Sequence, residues 1–482
     1  MITTLDLSIP TQLTLALVPD LVLMGGAMLI LLWAAWRPDS DEHQRRVGVA
    51  SIILAGITMV LVLNWVGRFD AGPGPIAVDN FRWLVDVVIL LGTVFAIALS
   101  MDDNMRSGVR SAESHVLVLL ASSGMMLLAG ARDLMIVFLG IELMSISVYA
   151  LAGINRRSIR SAEGALKYFL LGAFATGFLL YGIALIYGST GTTNLMLIAG
   201  SFTVHARSTL FLIGAGMLVI AFSFKVAAVP FHMWAPDVYE GAPTVVTGFM
   251  STGAKAAAFG AFIAVFLRAF EFHGARMNEA VAFISAASMI VGNVIAVAQS
   301  NVKRMLAYSS IAHAGYMLAG VAAANPEGQT GILFYLAAYV VMNIGAFGVV
   351  GMVEGNESSK LTFDDYAGFS LQRPYIAALM SVFMFSLAGI PPFAGFFGKY
   401  YVFLAAVKGD MIWLAVVGVL TSLVSVYYYL RLVVYMYFRE GKADLSASPG
   451  VPALVSLTVA ALMVLQLGLF PGTVADLARS LF

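Results

Sequence analysis

No cysteine occurs among the 482 residues. That absence excludes disulfides, cysteine-ligated iron–sulfur clusters and thiolate zinc sites. Histidine is scarce too: the six copies are scattered, with no pair at metal-ligand spacing on one helix. Charge is the third deficit. Only 11 % of residues are Asp, Glu, Lys or Arg, against about 25 % in an ordinary soluble chain. The formal net charge is zero, so nothing points to nucleic acid. No dinucleotide fingerprint or phosphate-binding loop stands between a strand and a helix. Any redox chemistry belongs to a partner chain.

What fills the chain is apolar: 60 % of residues are hydrophobic and the mean hydropathy is +0.90. Runs of this kind near ~20 residues read as membrane spans. About fourteen are expected, at 12–36, 47–66, 81–101, 115–131, 134–153, 162–187, 208–235, 243–268, 279–298, 305–324, 329–353, 375–405, 410–438 and 451–475. The fold class is therefore an all-α polytopic membrane protein. The start carries Asp6 and no Lys or Arg before Arg37. A cleavable signal peptide wants a basic start, so the first span is expected to be retained.

Loop cations orient the spans. Loops after odd-numbered spans hold about 15 Lys and Arg, including Arg37, Arg106, Arg110, Arg156, Lys303, Lys360 and Lys442; the other side holds about 7, including Arg68, Arg207, Arg276 and Lys408. The basic side faces the cytoplasm, so both termini are expected to face outside.

A charge at mid-bilayer costs roughly 2.5–3.5 kcal/mol. Arg82 and Lys167 stand in the first turns of their spans, where snorkelling to the interface is open to them. Glu142, Lys225, Lys255 and Lys399 have apolar residues on both sides in four different spans. They read as a static buried network that fixes helix register or as a proton relay. One acid cannot neutralise three bases, and burial disfavours a charged amine, which favours the relay.

Two spans are interrupted. FSFKVAAVPF carries Pro230 in mid-span, and FSLAGIPPF carries Pro391 and Pro392. Proline removes a backbone donor and breaks the helix. Such breaks at corresponding places in two halves mark a transporter site. The preceding spans share Gly-x-Leu-x-Tyr, in EGALKYF and QTGILFY. The broken spans are the seventh and twelfth. An odd offset makes the halves inverted repeats, spans 4–8 and 9–13. The expected division is 1–111 (three helices), 112–270, 271–440 and 441–482 (the last span).

Bridging groups are needed between the lysines. AYSSIAHAGYML offers Tyr308, Ser309, Ser310, His313 and Tyr316. Hydrogen bonding to neighbouring helices is the competing use of such groups. Asp237 and Glu240, after the seventh span, read as a solvated loop or as a proton-gathering funnel.

The stretches LGIELMSISVYALAG, SAEGALKYFLLGAF, FKVAAVPFHMWAPDVYEGAPT, NVKRMLAYSSIAHAGYMLAG and LAGIPPFAGFFGKYYVF resemble the antiporter-like membrane subunits of proton-pumping NADH–quinone oxidoreductase, respiratory complex I. The resemblance covers nearly the whole chain. It implies that Glu142 and Lys225 form a pair whose separation tunes the lysine, that Lys255 is the central relay, and that Lys399 hands the proton outward. One branch of the family usually has Glu on the twelfth span; this chain has Lys399. The resemblance further implies no cofactor in this chain. Flavin, iron–sulfur clusters and quinone are expected in partner subunits. The implied partners are other antiporter-like subunits, small membrane subunits and lipids. A freestanding cation/proton antiporter and a non-pumping sealing subunit are the rival readings.

Overall fold

The computed structural model describes residues 14, 17–37, 40–66, 74–106, 111–205, 208–270, 275–354, 361–441, 443–445 and 449–481, with backbone only at 105, 106, 275 and 276. Arg68, Arg110, Arg207, Lys360 and Lys442 of the loop count, and Asp6, lie outside the described residues.

The described residues form helices and no multi-residue strand. In chain order the main helices are α1 Val18–Trp36, α2 Asp41–Trp65, α3 Asn80–Arg106, α4 Glu113–Ala129, α5 Leu134–Ala152 and α6 Ile159–Thr190. A broken pair follows, α7a Thr209–Val226 and α7b Trp234–Gly241, then α8 Thr244–Phe262, α9 Ala275–Ala298, α10 Val302–Ala323 and α11 Pro326–Glu354. The second broken pair is α12a Pro374–Ala388 and α12b Ala394–Lys408, followed by α13 Ile412–Phe438 and α14 Val451–Leu469. Each expected span coincides with one of these helices or with a broken pair. Eleven described helices are long and apolar enough to cross a bilayer; α4 and α12a are shorter apolar helices.

Polar residues set the helix starts. Ser40 accepts from the His43 amide, Asp133 from Met135, Ser158 from Ser161 and Asn301 from Arg304, which satisfies amides the helix leaves unpaired. The helix Leu195–His205 falls in a stretch read as a loop. Asn194 Oδ1 accepts from the Met196 and Leu197 amides at 3.0 and 3.2 Å, and eleven residues are too few to register as a span.

The same element order occurs twice: a tight hairpin (α4–α5, α9–α10), a long helix (α6, α11), a broken pair and a further helix (α8, α13). Glycine permits both hairpins. A Cβ on Gly140 would lie 2.7 Å from the Leu128 amide nitrogen, and one on Gly315 2.7 Å from that of Met289. Backbone at those sites cannot give way as a side-chain tip can.

The centre belongs to α11 and α8, whose apolar windows are 94 % and 89 % buried, while α1 is only 28 % buried. The exposed apolar side chains therefore lie on the peripheral helices, and the centre is closed around its polar groups.

Arg82 departs from its expected snorkelling. It is fully buried, and its guanidinium donates to Asp20 of α1, to Asp86 of α3 at 3.3 Å and to the Ala77 carbonyl at 3.0 Å. Buried carboxylates replace the water it would otherwise seek. Lys303, counted as a loop cation, is 1 % exposed and donates to the Ala242 carbonyl at 2.6 Å, with Glu354 at 3.6 Å. Lys167 does reach outward, to Glu163 at 2.7 Å and Asp237 at 2.9 Å.

Overpacking a close helix contact costs typically 1–3 kcal/mol. Gly315→Val is expected to lower the thermal midpoint of the purified protein by several degrees. Gly216→Val, where an added Cβ meets nothing within 4 Å, is expected to change it little. Equal midpoints would refute the close-packing account.

Candidate functional site

The site begins at the helix breaks. In the first, Ala227 takes a left-handed conformation (φ 58°) after α7a, and α7b resumes at Trp234. Pro230 stands between them. The Val229 amide is taken up by Ser288 Oγ of α9 at 2.9 Å, and the Phe224 carbonyl by Trp234 Nε1 at 3.0 Å. In the second, Gly389 (φ 83°) ends α12a, Pro391 and Pro392 follow, and α12b begins at Ala394. The Gly395 amide donates to Ser386 Oγ at 3.1 Å. Freed backbone groups at membrane depth are thus met by protein.

Lys225 is the second-last residue of α7a. It is 6 % exposed, and its Nζ donates to Ser145 Oγ of α5 at 2.7 Å. Glu142, one turn earlier on α5, is half-buried and accepts from Thr176 Oγ1 of α6 at 2.8 Å. No ion pair joins Glu142 to Lys225. The two stand near one another, each held by a hydroxyl.

Lys255, at 1 % exposure in mid-α8, donates to both the Oγ and the backbone carbonyl of Ser310 of α10, each at 2.5 Å. Tyr339 of α11 donates to the same Ser310 Oγ at 2.9 Å. One turn further on α10, His313 Nδ1 pairs with Tyr335 hydroxyl at 2.7 Å and Nε2 with Tyr429 hydroxyl of α13 at 3.0 Å. Ser309 Oγ also bonds the Tyr429 hydroxyl. The Tyr316 ring stands edge-on to His313, 5.6 Å between centroids.

Lys399, 4 % exposed on α12b, has its Nζ 5.1 Å from the Tyr316 ring centroid. It donates to the carbonyls of Leu387 and Ala388 at 3.1 and 2.8 Å, and to Ser422 Oγ at 2.8 Å. Those carbonyls are the ones α12a loses at its break. Among the described residues no carboxylate pairs with Lys225, Lys255 or Lys399. Each amine is held by neutral oxygens, which accept from an ammonium or an amine alike.

Ser309, Ser310, His313 and Tyr316 therefore gather between Lys255 and Lys399. Tyr308 does not join them; it is half-buried with the Arg304 guanidinium 5.9 Å from its ring centroid. Sequence reading missed Ser145, Thr176, Tyr335, Tyr339, Ser422 and Tyr429. The shared Gly-x-Leu-x-Tyr contained one of them: Tyr335 bonds His313, while its counterpart Tyr168 stacks on Trp234 at 4.3 Å.

Asp237 and Glu240 lie on α7b, a short helix and not the expected loop. Asp237 takes Lys167 on one oxygen and Arg304 of α10 on the other at 3.1 Å; Arg304 also reaches Glu240 at 2.7 Å. They border a cavity of about 220 Å³ with Arg160 and Glu163. Burial raises the proton affinity of Asp237, but the hydrogen bonds from Lys167 and Arg304 outweigh it and hold the carboxyl below its ordinary value.

Residues 131–425 match the family described as "NADH:quinone oxidoreductase/Mrp antiporter, TM". The chain is 45 % identical to NADH-quinone oxidoreductase subunit N of Trichlorobacter lovleyi, over 96 % of each chain, and 44 % identical to that of Gemmatimonas aurantiaca, over 96 % of this chain and 92 % of the relative. A chain of respiratory complex I from Thermus thermophilus superposes with a TM-score of 0.83 at 35 % identity, covering 96 % of this chain and 99 % of that one. A chain of the Mrp complex from Dietzia sp. shares the fold, with a TM-score of 0.78 at 22 % identity, over 98 % and 95 %. The chain thus belongs to the family of antiporter-like membrane subunits. Its relatives within that family are the N subunits of NADH–quinone oxidoreductase, the proton-translocating respiratory complex I.

A carboxyl whose proton affinity is lowered by folding stabilises the fold above its unfolded value and loses that contribution as pH falls through the folded one. Wild type is therefore expected to lose thermal stability below about pH 4. Asp237→Asn is expected to melt lower at neutral pH and to show a flatter acid limb. An acid limb as steep as wild type would refute the account.

Proposed function

We propose that this chain moves protons across the membrane along Glu142, Lys225, Lys255, His313 and Lys399, coupled to quinone reduction in other subunits. The observation that carries the reading is the run of hydroxyls and imidazole from Lys255 to Lys399. Ser310, Tyr339, His313, Tyr335, Tyr429 and Tyr316 line one buried strip between the two amines. In this reading internal water carries the remaining steps, including that from Lys225 to Lys255.

The switch is electrostatic. An approaching Glu142 carboxylate stabilises the Lys225 ammonium. With Glu142 turned to Thr176 and Lys225 to Ser145, the amine keeps only a neutral acceptor and its proton is easier to release. It passes to Lys255, then through Ser310 and His313 towards Lys399, and leaves on the outer side of the second break. Moving one charge against 100 mV costs ~2.3 kcal/mol, about a 50-fold change in proton affinity. A nearby carboxylate moving by a few ångströms supplies that. Lysines are poor sodium ligands, since hard cations want oxygen donors, which favours protons. In this reading both termini face the periplasm, and other membrane-arm subunits and lipids cover the apolar periphery.

The test uses the assembled complex. Lys225→Ala, Lys255→Ala and Lys399→Ala are each expected to lower the protons moved per NADH oxidised. An unchanged ratio in all three would sink the relay and leave a sealing subunit. Ion transport by the chain purified without partners would favour a freestanding antiporter.

A hydrogen bond to a charged group is worth ~1.5–3 kcal/mol. Ser310→Ala is thus expected to slow proton transfer about tenfold or more, and Ser310→Thr to restore it. Equal rates in wild type and Ser310→Ala would remove Ser310 from the path.

A further inference from the structure

A second set of polar groups is buried away from the lysines, between α1, α2, α3 and α4. On α3, Asp86, Thr93 and Ser100 are seven residues apart, and on α4 His115 and Ser122 are likewise seven apart. A seven-residue step keeps side chains on nearly one face. The two rows meet: Thr93 Oγ1 lies 2.6 Å from Ser122 Oγ, and Ser100 Oγ 3.1 Å from His115 Nδ1. On α2, Ser51 and Thr58 repeat the step, both fully buried. Gly48, one turn before Ser51, faces the same seam, since a Cβ there would stand 3.3 Å from His115 Nε2. From Asp86 to Ser100 the seam runs ~21 Å of the ~30 Å hydrocarbon thickness.

Two observations point to an occupant. First, Asp20 Oδ1, Asp86 Oδ1, Ser51 Oγ, His115 Nε2 and Trp83 Nε1 are five of the eleven buried side-chain polar atoms without a hydrogen-bond partner among the described residues. All five belong to α1–α4. Buried polar atoms are rarely left unsatisfied, and internal water is the usual remedy.

Second, the buried charges at one end do not balance. Arg82 is shared by Asp20 and Asp86, with side-chain exposures of 0, 6 and 0 %. Three more charged groups stand at this end, all partly exposed: Asp79 accepts the Arg82 amide at 2.9 Å and pairs with Arg132 at 3.2 Å and with Arg268 at 3.6 Å. From α2 and α4 only hydroxyls face the seam here, and His115 stands at its far end. Within the buried trio two carboxylates share one guanidinium, so one acid lacks a buried counter-ion, and its charge is costly there. Asp79, Arg132 and Arg268 line a cavity of about 300 Å³ next to the pair, which gives it a route to solvent.

We propose that the α1–α4 seam holds a second column of internal water, separate from the lysine line, and that Asp20 and Asp86 share one exchangeable proton at its end. The exchange is a plain proton transfer: a hydronium at the cavity gives its proton to a carboxylate oxygen and becomes water, and the reverse returns it. The lysine relay does not depend on this seam, so either reading can fail alone.

The assembled complex tests it. A map that resolves internal water is expected to show water on Asp20 Oδ1, Asp86 Oδ1, Ser51 Oγ and His115 Nε2; a dry seam overturns the proposal without any variant. Infrared spectra are expected to contain a protonated-carboxyl band that shifts in D₂O, is lost in Asp86→Asn or Asp20→Asn, and persists in Lys255→Ala. Identical protonated-carboxyl bands in wild type and both Asn variants overturn the shared proton. A band that D₂O never shifts overturns its exchange.

Discussion

Inside hydrocarbon, a polar group has only the protein to answer it. Much of the unusual chemistry in this chain follows from that constraint. The two helix breaks release amides and carbonyls, and each finds a side chain: Ser288 and Trp234 at the first, Ser386 and Lys399 at the second. Arg82 finds two carboxylates. Lys225, Lys255 and Lys399 find serine hydroxyls and carbonyls instead of acids. A lysine held by neutral oxygens can gain or lose its proton with the same neighbours in place, whereas one locked to a carboxylate would lose its main attraction on discharge.

The same constraint sorts the helices. Of the eleven candidate spans, the two most completely buried are α8, which carries Lys255, and α11, which carries Tyr335 and Tyr339. Those carrying mostly aliphatic side chains outward, such as α1, α2 and α6, form the rim. Glu142 stands between these worlds, half-buried on α5 and held by Thr176 of the peripheral α6.

Much of this was legible in the sequence, because composition and proline carry strong signals. Apolar runs located the helices, and Pro230, Pro391 and Pro392 located both breaks. The four mid-span charges stood out because no other charged residue stands near them in sequence. The tyrosines were harder. Tyr335, Tyr339 and Tyr429 sit in apolar helices where an aromatic residue is unremarkable, and only the crossing of α10, α11 and α13 aims their hydroxyls at His313 and Ser310. Arg82 was misread for a related reason. Its place in the first turn of α3 suggested an interface, but its environment is set by Asp20, 62 residues away in sequence. Long-range pairing of this kind leaves no local trace.

Lys399 is at once an amine of the proposed relay and the cap of a severed helix, since its Nζ donates to the carbonyls of Leu387 and Ala388. A charged ammonium grips those carbonyls more strongly than a neutral amine does. Were the proposed relay to discharge Lys399, the clasp between α12a and α12b would slacken as the proton left. Chemistry and mechanics would then share one atom.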